Sequence, residues 1–312
     1  MITFEWKGVF PAVTTKFTDT DELDFDAFDI NLNAQVEAGV NGFILGGSLG
    51  EASVLSDKEK FDLLKHTVAY IDGKLPVLLN IAEQTTKAAV ASAQRAYDAG
   101  ADGLMLLPPM RYSSDERETL AYLGAVAEST RLPVMIYNNP VDYKIEVTMD
   151  MFEHLAAYDN IGAIKESTRN VSNVTRLINR FGDRYKIFTG VDPIAMESLV
   201  MGADGWVAGL VDAFPKETVA IYRLIKGNRI DEALAIYRWF LPLLELDIYP
   251  KLVQYIKLAE VATGIGTENV RAPRLPLIGE ERAKVQKIIN DALNNRPVLP
   301  AGSWGHVVEI DA

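Results

Sequence analysis

The sequence predicts a (β/α)8 barrel, the TIM-barrel class of α/β fold, followed by a C-terminal helical extension. Two observations lead there. Eight short apolar runs recur between amphipathic segments, and one glycine-containing phrase is repeated ahead of several of them. The runs cover residues 8–14, 42–46, 76–81, 103–107, 133–137, 161–165, 186–189 and 205–208. Continuous apolar, β-branched stretches of this length suit strands buried on both faces, as in a parallel sheet covered by helices.

The segments between them carry helical spacing. Phe28, Leu32 and Val36 share one face, and Gly39 stands where a helix would stop. Ser56 and Glu59 form a capping box ahead of Phe61, Leu64, Val68 and Ile71. Val174, Leu177, Ile178 and Phe181 repeat the pattern and end at Gly182, and Pro215 sits at the first turn of the helix after the eighth strand. The repeated phrase is Ala38-Gly39-Val40-Asn41-Gly42, Ala99-Gly100-Ala101-Asp102-Gly103 and Met201-Gly202-Ala203-Asp204-Gly205. Its first glycine ends a helix in the left-handed conformation, and its Asn/Asp-Gly pair turns the chain into the next strand. Eight such units make a barrel. An open doubly wound sheet is the competing architecture, but its nucleotide fingerprint is not matched by Gly46-Gly47-Ser48-Leu49-Gly50.

Strands stop near Phe214, and residues 215–227, 230–241, 247–263 and 279–294 read as helices. The division is therefore a catalytic barrel over 1–225, a helical extension over 226–295, and a tail over 296–312 that reads as disordered or as a cloning remnant.

Composition narrows the chemistry. The net charge of −12 leaves no basic stripe for a nucleic-acid partner. With no cysteine there are no disulfides, thiol nucleophiles or Cys-zinc sites, and the three histidines (His66, His154, His306) are too far apart in sequence for metal-ligand spacing. No run approaches a membrane span and the N-terminus has no signal pattern, so a cytoplasmic location without membrane partners is expected.

Barrel enzymes draw functional groups from the C-terminal ends of their strands. Those ends carry Ser48 and Glu51, Asn80 and Glu83, Arg111 and Tyr112, Tyr137, Asn138 and Asn139, Lys165 and Glu166, and Thr189 and Asp192. Lys165 stands out because it closes an apolar strand. Burial would depress its pKa and yield the neutral amine that attacks a carbonyl. The competing reading is a structural ion pair with Glu51 or Glu166, although Glu166 should face the opposite side of the strand. Tyr137, ending the neighbouring strand, is the expected proton relay, a role helped by a lowered pKa; it could equally be a core tyrosine. The glycine-rich turn 46–51 offers backbone N–H groups, and Ser48 a hydroxyl, to a carboxylate.

Gly47-Ser48-Leu49-Gly50-Glu51, Tyr137-Asn138-Asn139-Pro140 and Ile164-Lys165-Glu166-Ser167 together resemble the dihydrodipicolinate synthase / N-acetylneuraminate lyase family over residues 5 to 295. The resemblance implies a class I enzyme with a Schiff-base lysine at Lys165 and a tyrosine at Tyr137. It also implies a 2-oxo acid carboxylate held by the glycine turn, no metal or separate cofactor, and a homo-oligomer, tetramer or dimer. The substrate-binding set it suggests is Gly47, Ser48, Leu49, Glu51, Arg111, Tyr112, Asn139, Gly190, Asp192 and Gly209.

Departures from the pattern bear on the substrate. Dihydrodipicolinate synthases carry a second hydroxyl residue where this chain has Leu49, a tyrosine near Arg111, and a substrate-binding arginine where it has Asp142. An acidic residue there opposes a dicarboxylate. Sialic acid lyases pair Asp with Glu where this chain has Asp192-Pro193, and lack of a serine near Gly209 also disfavours them. The stretches Trp206-Val207-Ala208-Gly209-Leu210-Val211 and Arg271-Ala272-Pro273-Arg274-Leu275-Pro276 resemble instead the deaminases of hydroxyproline catabolism. Those convert Δ1-pyrroline-4-hydroxy-2-carboxylate to 2-oxoglutarate semialdehyde and ammonia. A 2-keto-3-deoxy sugar acid aldolase or dehydratase is the alternative, and a 2-oxo-acid sensor without turnover is a third reading.

Overall fold

The eight apolar runs form eight strands in a computed structural model, which describes residues 4–110 and 112–305. They are β1 (Gly8–Pro11), β2 (Phe43–Leu45), β3 (Val77–Ile81), β4 (Gly103–Leu106), β5 (Val134–Asn138), β6 (Ile161–Glu166), β7 (Lys186–Thr189) and β8 (Gly205–Ala208). Each pairs in parallel with its successor from β2 to β8, and β8 pairs with β1. A parallel bridge between Ala12 and Ile44 completes the ring, with the Val13 amide donating to the Ile44 carbonyl at 3.0 Å. The predicted barrel is the observed one. β5 and β6 run one residue past their apolar stretches, to Asn138 and Glu166, because polar side chains at a strand end leave the backbone ladder intact.

The repeated phrase does more than turn the chain. Gly39, Gly100 and Gly202 adopt φ of 88°, 88° and 110°, as a left-handed helix stop requires. Each following Asn or Asp then locks the start of an adjacent strand. Asn41 Oδ1 accepts from the Val9 amide at 2.9 Å, Asp102 Oδ2 from Val77 at 3.1 Å, and Asp204 Oδ2 from Ile187 at 2.9 Å. The three backbone amides of Asn41, Asp102 and Asp204 donate in return to the carbonyls of those same partners. The N-terminal face of the barrel is thus fastened by a two-bonded clasp used three times.

The extension comprises helices Ile230–Leu244, Leu252–Thr263 and Gly279–Asn294, after the eighth barrel helix Pro215–Lys226. Two of the predicted boundaries move. The helix expected to stop at 241 runs through Pro242 to Leu244, with the proline on its exposed side. The helix expected from 247 starts at Leu252, because Pro250 forces Tyr249 into an extended conformation (φ −94°, ψ 155°). Residues Glu245–Ile248 form a separate 3-10 turn instead. Of the tail expected over 296–312, residues 306–312 lie outside the described residues, and 296–305 make contacts with the barrel. Arg296 pairs with the buried Glu217 at 2.5 Å, Trp304 lies under the Lys216 ammonium at 4.2 Å, and the Gly305 amide donates to the Ala38 carbonyl. Among the described residues no helix is long and apolar enough to cross a membrane.

Barrel and extension are joined by charges removed from water. Lys257 meets Glu51 at 2.5 Å and Lys16 meets Glu260 at 2.7 Å, with all four side chains fully buried. Glu51 also accepts from the Arg271 amide at 3.2 Å. Removing one partner of such a pair strands the other charge, at a cost of about 3–5 kcal/mol. Lys257→Met should therefore lower stability by about that amount, and adding Glu51→Gln should recover part of it. Urea unfolding midpoints of the single and double variants check this; equal midpoints for the two would contradict it.

Candidate active site

Register brings the two central residues together. β5 and β6 are parallel neighbours in which Tyr137 is the direct partner of Lys165. Both side chains point into the barrel mouth, and Lys165 Nζ lies 3.9 Å from the centre of the Tyr137 ring. Only 6% of Lys165 is exposed, and among the described residues it has no carboxylate within ion-pair distance. The structural-pair reading fails on both counts: Glu51 is taken by Lys257, and Glu166 faces the helix layer, where it accepts from the Thr168 amide at 2.8 Å. Burial pulls the Lys165 amine below the ordinary lysine range, against the opposing influence of Tyr143, Asp247, Asp192 and Asp142.

Tyr137 departs from expectation. Burial pushes its phenol up to about 12 rather than down, so near neutral pH it keeps its proton and acts as a donor. Asn139 Nδ2 donates to the Tyr137 oxygen at 3.0 Å, which leaves the phenolic hydrogen free to point elsewhere. Asn139 also caps the one-turn helix Pro140–Tyr143 and donates to Asp142 at 2.7 Å. That single turn swings Tyr143 back over the strand ends, where its ring meets Tyr137 edge-on at 5.6 Å and its hydroxyl hydrogen-bonds Ser48 at 2.5 Å.

The remaining walls of this cavity of about 80 Å³ come from three directions. Gly47, Ser48 and Leu49 line it from the glycine turn, and among the described residues the Ser48 and Leu49 amides meet no protein acceptor. Gly190 closes it behind the lysine: a Cβ there would stand 2.5 Å from Lys165 Cε and 2.3 Å from Ser167 Oγ. Gly209 and Asp247 close the far side, and Arg169 stands exposed at the rim with φ of 62°. Ser48 and Tyr143 also line a second, larger cavity of about 660 Å³ bordered by Asn80, Glu83 and Arg274.

Not every expected site residue reaches the pocket. Glu51 is wholly buried in the contact with the extension. Asp192 is buried behind the wall, where its carboxylate accepts from Trp206 Nε1 at 2.9 Å, Leu210 N at 2.7 Å and Gly209 N at 3.1 Å; it shapes the loop after β8. Tyr112 is 55% exposed and lines neither of these two cavities. Arg111 lies outside the described residues. Conversely, Tyr143, Ser167 and Asp247 line the pocket without having been read from the sequence. The Asn139-Pro140 cap was the available signal for Tyr143, and Tyr249-Pro250 the one for the turn carrying Asp247. Among the described residues no cluster of His, Asp or Glu could hold a metal ion.

A desolvated amine at a barrel strand end, with a proton-bearing phenol against it and a glycine turn offering free amides, is the arrangement of the carbonyl-attacking, Schiff-base class of enzyme. Comparison with known proteins names the group: the chain belongs to the Dihydrodipicolinate synthetase family, whose model matches residues 5–292. It is an enzyme of this Schiff-base-lysine family, whose members work without a metal or separate cofactor. The 4-hydroxy-tetrahydrodipicolinate synthase of Sorangium cellulosum is 31% identical over 86% of this chain and 90% of its own. That of Exiguobacterium sibiricum is 30% identical over 89% and 94%. A dihydrodipicolinate synthase structure from Bacillus anthracis, 26% identical, superposes with a TM-score of 0.88 over 92% of this chain and 99% of the other.

Gly190→Ala should displace Lys165 and abolish borohydride-trapped pyruvate adducts, as read by intact mass, while leaving the circular dichroism spectrum unchanged. A lowered lysine pKa also sets a direction. The neutral amine fraction, and with it the rate of adduct formation, should rise with pH through a midpoint below the ordinary lysine value of about 10.4. A midpoint at or above that value would contradict the burial argument.

Proposed function

We propose that the protein is a deaminase that converts Δ1-pyrroline-4-hydroxy-2-carboxylate to 2-oxoglutarate semialdehyde and ammonia through a Schiff base on Lys165. The observation that carries this reading is the lysine pocket itself: a small site with one buried amine, free backbone amides for a single carboxylate, and Asp142 on its wall. An acidic side chain there disfavours a second substrate carboxylate, and a cyclic imino acid with a hydroxyl brings none.

In this reading Ser48 and the Ser48 and Leu49 amides hold the carboxylate. Lys165 adds to C2 of the ring imine, and the bond from C2 to the ring nitrogen breaks, leaving an open chain with a free amine on C5. Tyr137 moves protons to and from the atoms at C2. Loss of a C3 proton gives the enamine, whose electron pair forms the C3–C4 double bond as the 4-hydroxyl leaves as water. Proton shifts carry the unsaturation to C5 and its nitrogen. Two hydrolyses then release ammonia from C5 and the 2-oxo group from Lys165, so that one water is consumed overall.

A second reading, a 2-keto-3-deoxy sugar acid aldolase or dehydratase, is favoured by the larger cavity beyond Ser48 and Tyr143, which has room for a polyol chain and carries Asn80, Glu83 and Arg274 on its walls. We further infer a homo-oligomer, since Leu275 and Ile278 stand 72% and 78% exposed on the extension. Ammonia release from the pyrroline substrate, coupled to a trapped adduct lost in Lys165→Ala, is the expected result. Adduct formation with cleavage or dehydration of keto-deoxy sugar acids and no ammonia from the pyrroline would select the second reading.

A further inference from the structure

The helical extension puts one acidic side chain into the lysine pocket, and the reaction just proposed leaves it without a task. Asp247 sits in the turn Glu245–Ile248, between the proline-bearing helix that ends at Leu244 and the Tyr249-Pro250 break. It lines the same cavity as Lys165 and Tyr137. Its carboxylate lies directly over Gly209, where a Cβ would come within 2.4 Å of Asp247 Oδ1. A side chain on residue 209 would therefore push it out of the mouth of β8.

The groups facing Asp247 come from several elements: Lys165 from β6, Asp192 from the turn after β7, and Asp142 from the turn after β5. Three carboxylates around one amine cannot all stay ionised in a small buried space at no cost. Their hydrogen bonds distinguish them. Asp192 takes bonds from an indole and two backbone amides, which favour its charged form. Asp142 takes one from Asn139. Asp247 takes one bond, from the Asp192 backbone amide, and has no ion pair among the described residues. Two neighbouring carboxylates in unequal surroundings divide into an ionised one and a protonated one. Burial and the adjacent Asp192 charge both push Asp247 well above the usual carboxylate range.

We propose that Asp247 is the general acid of the elimination, donating its proton to the hydroxyl that leaves from the carbon two bonds beyond the Schiff-base carbon. The C4–O bond breaks with its electron pair on oxygen, the Asp247 carboxyl proton moves to that oxygen and water departs. The enamine pair becomes the C3–C4 double bond and returns the lysine nitrogen to the iminium form. Asp247 is left as a carboxylate and regains its proton from solvent at the pocket rim before the next turnover. The inference rests on the Schiff-base reading of Lys165. It extends that reading by assigning the acid to the extension rather than to the barrel, and it fits any substrate with a hydroxyl at that carbon.

The test compares Asp247→Asn with the unaltered protein in two assays. In the first, pyruvate and borohydride should still label Lys165 in both, since carbonyl addition takes no proton from Asp247, and any change in labelling rate reports its influence on the amine. In the second, ammonia release from the pyrroline substrate should fall by about 10²- to 10⁴-fold in the variant, the usual contribution of a positioned acid. A borohydride quench during turnover should then trap an adduct that retains the hydroxyl oxygen. Asp247→Glu should recover part of the rate. Ammonia release at the unaltered rate in Asp247→Asn, or loss of pyruvate labelling in that variant, would overturn the assignment while Lys165 stood. Failure of the unaltered protein to form any adduct would instead overturn the Schiff-base reading and this inference with it.

Discussion

Everything proposed for this pocket depends on keeping water away from a single amine. Lys165 has 6% of its surface exposed and, among the described residues, no carboxylate at ion-pair distance; burial without a partner separates it from Lys16 and Lys257, which are buried but paired. A lysine at the same strand end with its ammonium in solvent would be a solubilising charge. The surrounding features each maintain that state. The Tyr137 ring covers one side at 3.9 Å, Gly190 lets the backbone approach the stem from another, and the extension roofs the remainder. The nearby carboxylates pull in the opposite direction by favouring the ammonium, so the amine is held between two influences.

The two ends of the barrel divide the work. The N-terminal face is closed by Asn41, Asp102 and Asp204, whose side chains and amides grip neighbouring strands in the same way. The C-terminal face has no such repetition; each strand end there carries a different group. Conserving one mechanical solution at one face leaves the other free to vary, which is how a single architecture hosts many chemistries. The Asp142 wall residue, the Leu49 position and the Asp247 turn all belong to the variable face.

How much of this was legible follows from what local sequence encodes. Alternation of apolar runs with helical spacing reports burial on two faces, so the eight strands and their order could be read directly. Lys165 was legible because a charge at the end of an apolar run contradicts its surroundings. The surroundings of Glu51 and Asp192 were not legible because a position after a strand says nothing about which way a carboxylate turns. Glu51 turns to Lys257, far away in sequence, and Asp192 to the amides after β8. Asp247 was hidden for a related reason: its neighbours share helical spacing, and only the restriction that Pro250 places on Tyr249 separates it from the helix. The shift in Tyr137 was misjudged because burial outweighs the hydrogen bonds from Asn139 and Ser167 that favour the phenolate.

The pair between Glu51 and Lys257 joins residues 206 positions apart. A ribosome would release all eight strands before Lys257 emerged, so a nearly complete barrel must wait with the carboxylate of its glycine turn unpaired. Contacts of such long sequence separation close late, after the loop entropy between them has been overcome. The glycine turn that lines the lysine pocket is anchored by the last quarter of the chain. The protein therefore acquires its shape before it acquires its pocket, and a chain cut short within the extension would be a barrel with no site.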